Sequence, residues 1–171
     1  MYRLLWLVLP GLLLGACATI PAELTKGPYT QVTPQEAQTV KHDGQRVRWG
    51  GVIVDTTPGA KETCFRVLAL PLDSSARPER SDNALGRFIG CAPAFYDPAV
   101  YAAGREITVT GVLDGVESGT VDNYRYVFPK LRLETVYLWP QRPNVIYVPY
   151  RDPFWNPFYG PYWPYSPYPW W

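Results

Sequence analysis

Five short segments between residues 46 and 139 carry strand signals, and they dictate a fold built from strands. Residues 46–49 and 105–113 alternate polar and apolar residues. Such alternation is typical of a strand with one buried face, because successive side chains point to opposite sides. Polar turns rich in glycine, proline, asparagine and aspartate separate the segments. Glycines 50 and 51 predict a bulge in the first strand, and Pro129 predicts an irregularity in the fifth. The pattern predicts strands over 46–54, 63–72, 85–91, 105–113 and 124–139.

A short helix is expected before the first strand. Thr33 can cap it, Pro34 takes its first position, and Glu36 completes a capping box. The helix should end near Val40, because His42-Asp43-Gly44 is a turn signal.

A second short helix is expected between the third and fourth strands. Asp97 can cap it, Pro98 suits its first position, and Gly104 suits the position after its end. Three strands, a helix and two strands is the element order of an OB-fold, a five-stranded Greek-key barrel. The sequence therefore predicts a mainly β, OB-like barrel over residues 30–139, with a small β-sandwich as the alternative.

The N-terminal residues have the pattern of a bacterial lipoprotein signal. Arg3 precedes an apolar run over residues 4–14, and Leu14-Gly15-Ala16-Cys17 resembles a lipobox. We expect cleavage of residues 1–16 and acylation of Cys17 with diacylglycerol and a palmitate-like chain. A plain signal peptide or a single membrane anchor is the alternative, but the run is shorter than the about 20 residues that span a bilayer.

The residue after the lipobox bears on location. Lipoproteins with aspartate at that position resemble those retained in the inner membrane, whereas this chain has Ala18. We therefore expect an outer membrane protein that faces the periplasm, with residues 17–29 as a lipidated linker. The turn-forming residues Pro21, Gly27 and Pro28, without apolar periodicity, are typical of a linker.

Charge excludes one class of partner. The chain has 16 Lys+Arg and 15 Asp+Glu, and removal of Arg3 with the signal leaves equal numbers. Nucleic-acid-binding proteins usually carry a basic excess, so we expect no nucleic acid partner. The partner implied by Cys17 is the membrane itself.

Two cysteines remain after Cys17. In an oxidising compartment Cys64 and Cys91 can form a disulfide, with two buried free thiols as the alternative. A zinc site needs three or four ligands, and the sole histidine, His42, is far from both cysteines, so we expect no metal. Because His42 has no nucleophile near it in sequence, we expect neither an enzyme nor a cofactor.

Residues 140–171 form a tail of unusual composition. It contains nine prolines, twelve aromatic residues and only three charged residues. Such proline density excludes helix and central strand, so the tail is either extended or a disordered low-complexity segment. Six aromatic side chains are candidate contacts to the membrane–water interface, to envelope glycan or to another envelope protein. They are Trp155, Tyr159, Tyr162, Trp163, Trp170 and Trp171.

Sequence blocks over about residues 30–139 resemble, in the same order along the chain, those of the Slp outer-membrane lipoproteins. The blocks are Val47 to Ile53, Leu70 to Ser74 with Arg77-Pro78, Ser81-Asp82, Leu85 to Phe88, Phe95 to Pro98, Tyr101, Gly104 to Gly111, Tyr126 with Phe128-Pro129, and Leu138-Trp139. The resemblance implies a non-enzymatic envelope protein associated with stress and starvation responses. A glycan- or envelope-polymer-binding module, using the barrel face and the tail, is the alternative function. Cys64, Cys91 and the tail depart from the family pattern.

Overall fold

A computed structural model describes residues 19–40 and 42–143 of the chain. The fold below is that of the unit that ends at Gln141. A 3-10 turn over Ala22–Leu24 and helix α1 (Pro34–Ala37) precede the strands. The strands are β1 (Arg46–Pro58), β2 (Thr63–Ala69), β3 (Arg87–Ala92), β4 (Glu106–Val121) and β5 (Tyr124–Leu138).

The five strands close into a barrel in the order β1-β2-β3-β5-β4. Neighbouring strands are antiparallel except β3 and β5, which run parallel and pair from Ile89 with Lys130 to Cys91 with Arg132. This closed barrel confirms the predicted mainly β fold with five strands, and it fits the OB-like assignment. Because β3 and β5 are parallel, both strands run toward the end of the barrel where antiparallel β4 begins.

The barrel core follows the alternation seen in the sequence. In β2, Thr63, Phe65, Val67 and Ala69 are buried, and the residues between them are more exposed. The rings of Trp49 and Phe88 meet across this core with centroids 5.2 Å apart. Burial of the apolar face supplies the dominant stabilising term.

Two strand irregularities differ in position from those predicted. The bulge of β1 lies between Ile53 and Asp55 rather than at the paired glycines. Gly51 instead allows close approach of β2, because an added Cβ would collide with the carbonyl of Leu68. The irregularity expected in β5 at Pro129 lies in its partner strand instead, because the register shift between Leu113 and Val116 puts the extra residue in β4.

Strand β4 is longer than predicted. Residues 114–121 were expected to form a polar turn, but they continue the strand and pair with the start of β5. The reversal is a two-residue turn in which Asp122 has a positive φ of 51°. Positive φ values are typical of the tight turns that join antiparallel strands. The hairpin formed by residues 114–129 is called the β4–β5 arm below.

The first predicted helix is confirmed with its capping box, although it ends at Ala37. Thr33 Oγ1 accepts a hydrogen bond from the Glu36 amide at 3.2 Å, and Glu36 Oε2 accepts one from the Thr33 amide at 2.8 Å.

The second predicted helix is wrong, because residues 97–104 form turns. Asp97 does cap locally, since its Oδ1 accepts from the Ala99 amide at 2.8 Å. The chain cannot continue as a helix because its next polar groups bond to β1. The Tyr101 carbonyl accepts from Thr56 Oγ1 at 2.7 Å, and the Gly104 amide donates to the Ile53 carbonyl at 2.9 Å.

No helix among the described residues is long and apolar enough to cross a membrane.

Candidate functional site

The structure describes only some of the residues predicted to form the site. Cys17 and the six tail aromatics, Trp155, Tyr159, Tyr162, Trp163, Trp170 and Trp171, lie outside the described residues, so their roles stay predictions. Cys64 and Cys91 lie within them and are joined by a disulfide of 2.06 Å, which confirms the expected pairing. The structure also describes the segment that follows Cys17 and the segment that precedes the tail.

The disulfide crosslinks facing residues of two neighbouring strands. Cys64 of β2 stands directly opposite Cys91 of β3. Cys91 belongs to a cluster with Ile89 of β3 and Phe128 of the β4–β5 arm, against which Cys64 and Tyr126 also pack. Glu62 completes a group of three potential metal-ligating side chains. Because the two sulfurs are bonded to each other, neither supplies a thiolate to a metal. This feature is therefore a structural crosslink between β2 and β3.

Tyr126 fixes the arm to the rest of the barrel. Its hydroxyl accepts a hydrogen bond from the Arg87 amide of β3 at 2.9 Å and one from Gln38 Nε2, just after α1, at 2.6 Å. One side chain therefore joins the arm, β3 and the end of α1.

The segment expected to be a linker packs onto the barrel in its described part. We call residues 19–30 the N-terminal strap. Leu24 is 0% exposed and lies in a cluster with Ala76 and Trp139, against which the half-buried Ile20 also packs. The strap is thus part of the folded domain from Ile20 onward.

The strap runs along β1 in the opposite direction. The Thr30 amide donates to the Arg46 carbonyl at 2.8 Å. Arg46 Nη1 then donates to the Lys26 carbonyl at 2.7 Å, and Arg48 Nη1 donates to the Leu24 carbonyl at 3.2 Å. Two residues toward the N-terminus of the strap thus correspond to two residues toward the C-terminus of β1. The strap therefore leads toward the end of the barrel where β4 begins.

At this end of the barrel Trp139 is held on several sides. Its indole Nε1 donates to Thr108 Oγ1 at 2.9 Å, and its amide donates to the Glu106 carbonyl at 2.9 Å. Its carbonyl accepts from Arg105 Nη2 at 3.1 Å. We call the region where β3 ends, β4 begins and β5 ends the Trp139 end of the barrel.

A buried carboxylate supports the same region. Glu106 is 9% exposed and pairs with Arg77 at 2.7 Å and with Arg80 at 3.3 Å. The Arg77 guanidinium lies 5.4 Å from the centre of the Trp139 ring and donates to the Pro140 carbonyl at 2.7 Å. The position from which the tail departs is therefore fixed by charged hydrogen bonds.

A cavity of about 400 Å³ lies beneath the strap, lined in part by Glu36, Arg48 and Asp73. These charged groups are engaged within the protein. Arg48 donates to the strap, and Asp73 Oδ1 accepts from the amides of Ser75 and Arg77 at 2.8 and 3.0 Å. Hydrogen bonds from the Thr33 amide and hydroxyl lower the pKa of Glu36, which marks it as a helix-capping carboxylate. The charged lining thus serves local structure.

His42 lines a separate cavity of about 120 Å³ between the end of α1 and β4. The hydroxyl beside it there, Thr39 Oγ1, donates to the Glu36 carbonyl at 3.1 Å, and Asp43 accepts from the Gly115 amide at 3.0 Å. None of the residues described around this cavity is a serine or cysteine. A nucleophilic triad is therefore not assembled at the sole histidine.

Sequence reasoning missed three parts of this arrangement: the docked strap, the Tyr126 contacts and the Arg105–Trp139 contact. Of the three, only the docked strap has a signal in the sequence, which is the apolar pair Ile20 and Leu24 one helical turn apart. The other two depend on pairings between distant segments.

One protein family matches most of the chain. The model of the outer membrane lipoprotein Slp family matches residues 14–171, which include the lipobox-like residues and the tail. The chain is 30% identical over 158 residues to outer membrane protein Slp of Escherichia coli K12, covering 89% of this chain and 81% of that protein. The uncharacterized E. coli lipoprotein YeaY is 30% identical over 162 residues, covering 91% and 81%. An uncharacterized protein of Haemophilus influenzae is 33% identical over 132 residues, covering 74% and 70%.

Proposed function

This chain belongs to the outer membrane lipoprotein Slp family, and we propose that acyl chains on Cys17 hold its barrel at the periplasmic face of the outer membrane. There it has a non-enzymatic, structural or stress-related role in the envelope. The observation that carries the proposal is the family match, because it begins at residue 14 and so contains Leu14-Gly15-Ala16-Cys17. Ala18 supports the outer membrane as destination.

The energetics of acylation support a lasting attachment. Each buried methylene contributes about 0.8 kcal/mol, so one chain gives only marginal binding and further chains make it effectively permanent. The equal numbers of acidic and basic residues after removal of Arg3 leave little for electrostatic attraction to anionic headgroups. The lipid on Cys17 therefore has to supply most of the attachment.

The described side chains support a role without catalysis. The charged groups around the larger cavity are bonded within the protein, and the hydroxyl beside His42 is bonded to a backbone carbonyl. Active sites commonly combine a cleft with a titratable group of shifted pKa. The shifted group at the larger cavity, Glu36, has a structural partner in Thr33.

Metabolic labelling with a palmitate analogue, followed by membrane fractionation, tests the anchor. We expect label and outer membrane recovery for the wild type, and loss of both in Cys17→Ala. A matched control is the double variant Cys64→Ala/Cys91→Ala, which keeps Cys17 and should keep the label. A soluble periplasmic wild type, or equal label in Cys17→Ala, contradicts the proposal.

Two further measurements test location and role. Ala18→Asp should move the protein toward the inner membrane fraction if this residue governs sorting. External protease should digest the barrel only after the outer membrane is permeabilised; digestion in intact cells would place it on the surface. A strain that lacks this protein should show altered envelope permeability in starvation. Expression of the wild type should restore normal permeability, and expression of Cys17→Ala should not.

Tail composition favours one second candidate, an envelope-glycan-binding module. Aromatic rings stack on sugars and also settle at membrane interfaces, so retention alone does not distinguish the two roles. Retention on peptidoglycan and lipopolysaccharide is compared for the full chain, a chain ending at Pro140, and a chain with leucine at the six candidate positions. Binding that needs the rings supports glycan recognition, and absence of retention by the full chain rejects it.

A further inference from the structure

The tether between the proposed lipid and the folded barrel is very short. Ile20, which packs against the Trp139 cluster, is three residues after Cys17. A fully extended chain advances at most about 3.6 Å per residue, so Cys17 lies within about 11 Å of Ile20. The acyl chains enter the bilayer directly from Cys17, which leaves little distance between the membrane surface and the barrel.

The strap also fixes which part of the barrel lies near Cys17. Its hydrogen bonds to Arg46 and Arg48 lead it toward the Trp139 end as the chain approaches its N-terminus. Ile20 and Leu24 then join the same cluster as Trp139. The segment that carries the lipid therefore arrives beside the Trp139 end.

The loop between β3 and β4 emerges at this same end. The Arg105 guanidinium donates to the Val100 carbonyl at 3.0 Å and to the Trp139 carbonyl at 3.1 Å, so the loop and the end of β5 share one cation. Two apolar side chains of the loop point outward: Phe95 is 74% exposed and Val100 is 49% exposed. Between them the exposed Asp97 is the one charged residue, and its Oδ1 accepts a hydrogen bond from the Ala99 amide. Exposed apolar groups such as Phe95 and Val100 suit a lipid surface better than water.

Packing behind these two side chains holds the loop in place. The rings of Tyr96 and Tyr101 meet edge to face at 4.9 Å, and both contact the core residue Phe65, at 5.3 and 5.6 Å. The two tyrosines, rather than Phe95, pack against the core on the inner side of the loop. The exposure of Phe95 is therefore a property of the folded loop.

We propose that the Trp139 end of the barrel rests on the lipid surface and that Phe95 and Val100 enter its headgroup region. The inference rests on the proposed function, because the acyl chains of Cys17 supply the attachment. Apolar insertion, rather than charge, makes the contact, so vesicles with and without anionic lipid should give the same result.

Photocrosslinking in reconstituted vesicles tests this orientation. The photoreactive residue p-benzoylphenylalanine is placed at position 95 or 100 of the full-length acylated protein, in phosphatidylethanolamine vesicles with or without phosphatidylglycerol. The matched control carries it at position 124, because Tyr124 is also aromatic and is 72% exposed. Tyr124 pairs with Val121, at the end of β4 farthest from Glu106. Lipid adducts are expected at 95 and 100 and at background level at 124.

The outcomes separate this inference from the anchor. Protein that carries the palmitate label and a closed Cys64–Cys91 disulfide, yet forms no lipid adduct at 95, overturns the orientation alone. Equal adducts at 95 and 124 overturn it too, as does a protein adduct in place of lipid at 95 in intact cells. Loss of the palmitate label from the wild type overturns both proposals.

Discussion

Replacing Leu24 with alanine should lower the free energy of unfolding, because the strap is part of the domain. Leu24 is fully buried against Ala76 and Trp139. Leu24→Ala removes three carbons, each worth about 0.8 kcal/mol on burial, so the transfer term is about 2.4 kcal/mol. The cavity left behind adds to this, and buried leucines commonly cost 2–5 kcal/mol in such changes.

The position of Leu24 near the start of the domain sets an upper limit to this loss. The strap can detach while the barrel stays folded, so the global loss cannot exceed the free energy with which the strap docks. A strap that detaches frees the backbone at Lys26 for cleavage, because the Lys26 carbonyl is bonded to Arg46 in the folded state. We therefore expect either a loss of about 2–4 kcal/mol or a smaller loss with faster trypsin cleavage after Lys26.

Urea unfolding followed by circular dichroism measures the first effect, and limited trypsin digestion measures the second. Both are done on chains beginning at residue 17 that carry Cys17→Ser, so that acylation does not interfere. The matched control is Glu23→Ala, because Glu23 is the exposed neighbour of Leu24 and should change stability by less than about 0.5 kcal/mol. If Leu24→Ala and Glu23→Ala behave alike in both assays, the docked strap is refuted.

Three further changes probe the crosslink, the arm and the loop. Reduction of Cys64–Cys91, which spans 27 positions, should lower unfolding stability by about 3–4 kcal/mol, measured in urea with and without dithiothreitol; the double alanine variant should not respond to reductant. Tyr126→Phe leaves the Arg87 amide without its acceptor and should cost about 1–3 kcal/mol, with faster hydrogen exchange at that amide; unchanged exchange contradicts the contact. Burial raises the pKa of Tyr101 above its ordinary 10.0, so its contribution to stability is full below pH 10 and is lost as pH rises through the folded value. Tyr101→Phe should therefore lose less stability than the wild type between pH 9 and 11, measured by urea titration, and an identical loss in the two proteins would argue against that shift.

The strands were predictable because their signal is local. The polar residues Arg105, Thr108 and Thr110 are interspersed with Ile107 and Val109, and a period of two reports burial without knowledge of the partner strand. The disulfide was also accessible, since cysteines near the ends of adjacent antiparallel strands can meet. The extension of β4 could not be predicted, because residues 114–121 are mostly polar. In the structure Gly115 also has a positive φ of 77°, which is unusual within a strand. Pairing with β5 and the packing of Phe128, rather than β4's own residues, make that segment a strand.

The second predicted helix shows how tertiary hydrogen bonds override local signals. Asp97 caps its turn as the sequence indicates, yet the groups that a helix would use at Tyr101 and Gly104 bond to β1. The strap failed as a prediction for a similar reason. The turn-forming residues of the strap are typical of a linker. The burial of Leu24, however, depends on Trp139, which is distant in the sequence. Local sequence does not report such distant partners.

The docked strap and the β4–β5 arm together give the barrel a direction. Strand β4 begins at Glu106, beside Trp139, and ends at Val121, so its 16 residues cover at most about 50 Å. If the Trp139 end rests on lipid, the tip of the arm is the part of the domain farthest from the membrane. Tyr126 of the arm bonds to the Arg87 amide of β3, and Phe128 of the arm shares a cluster with Ile89 and Cys91 of β3, so these contacts hold the arm against β3. Weakening those contacts should therefore change what the protein presents to the periplasm while leaving its attachment to the membrane unchanged.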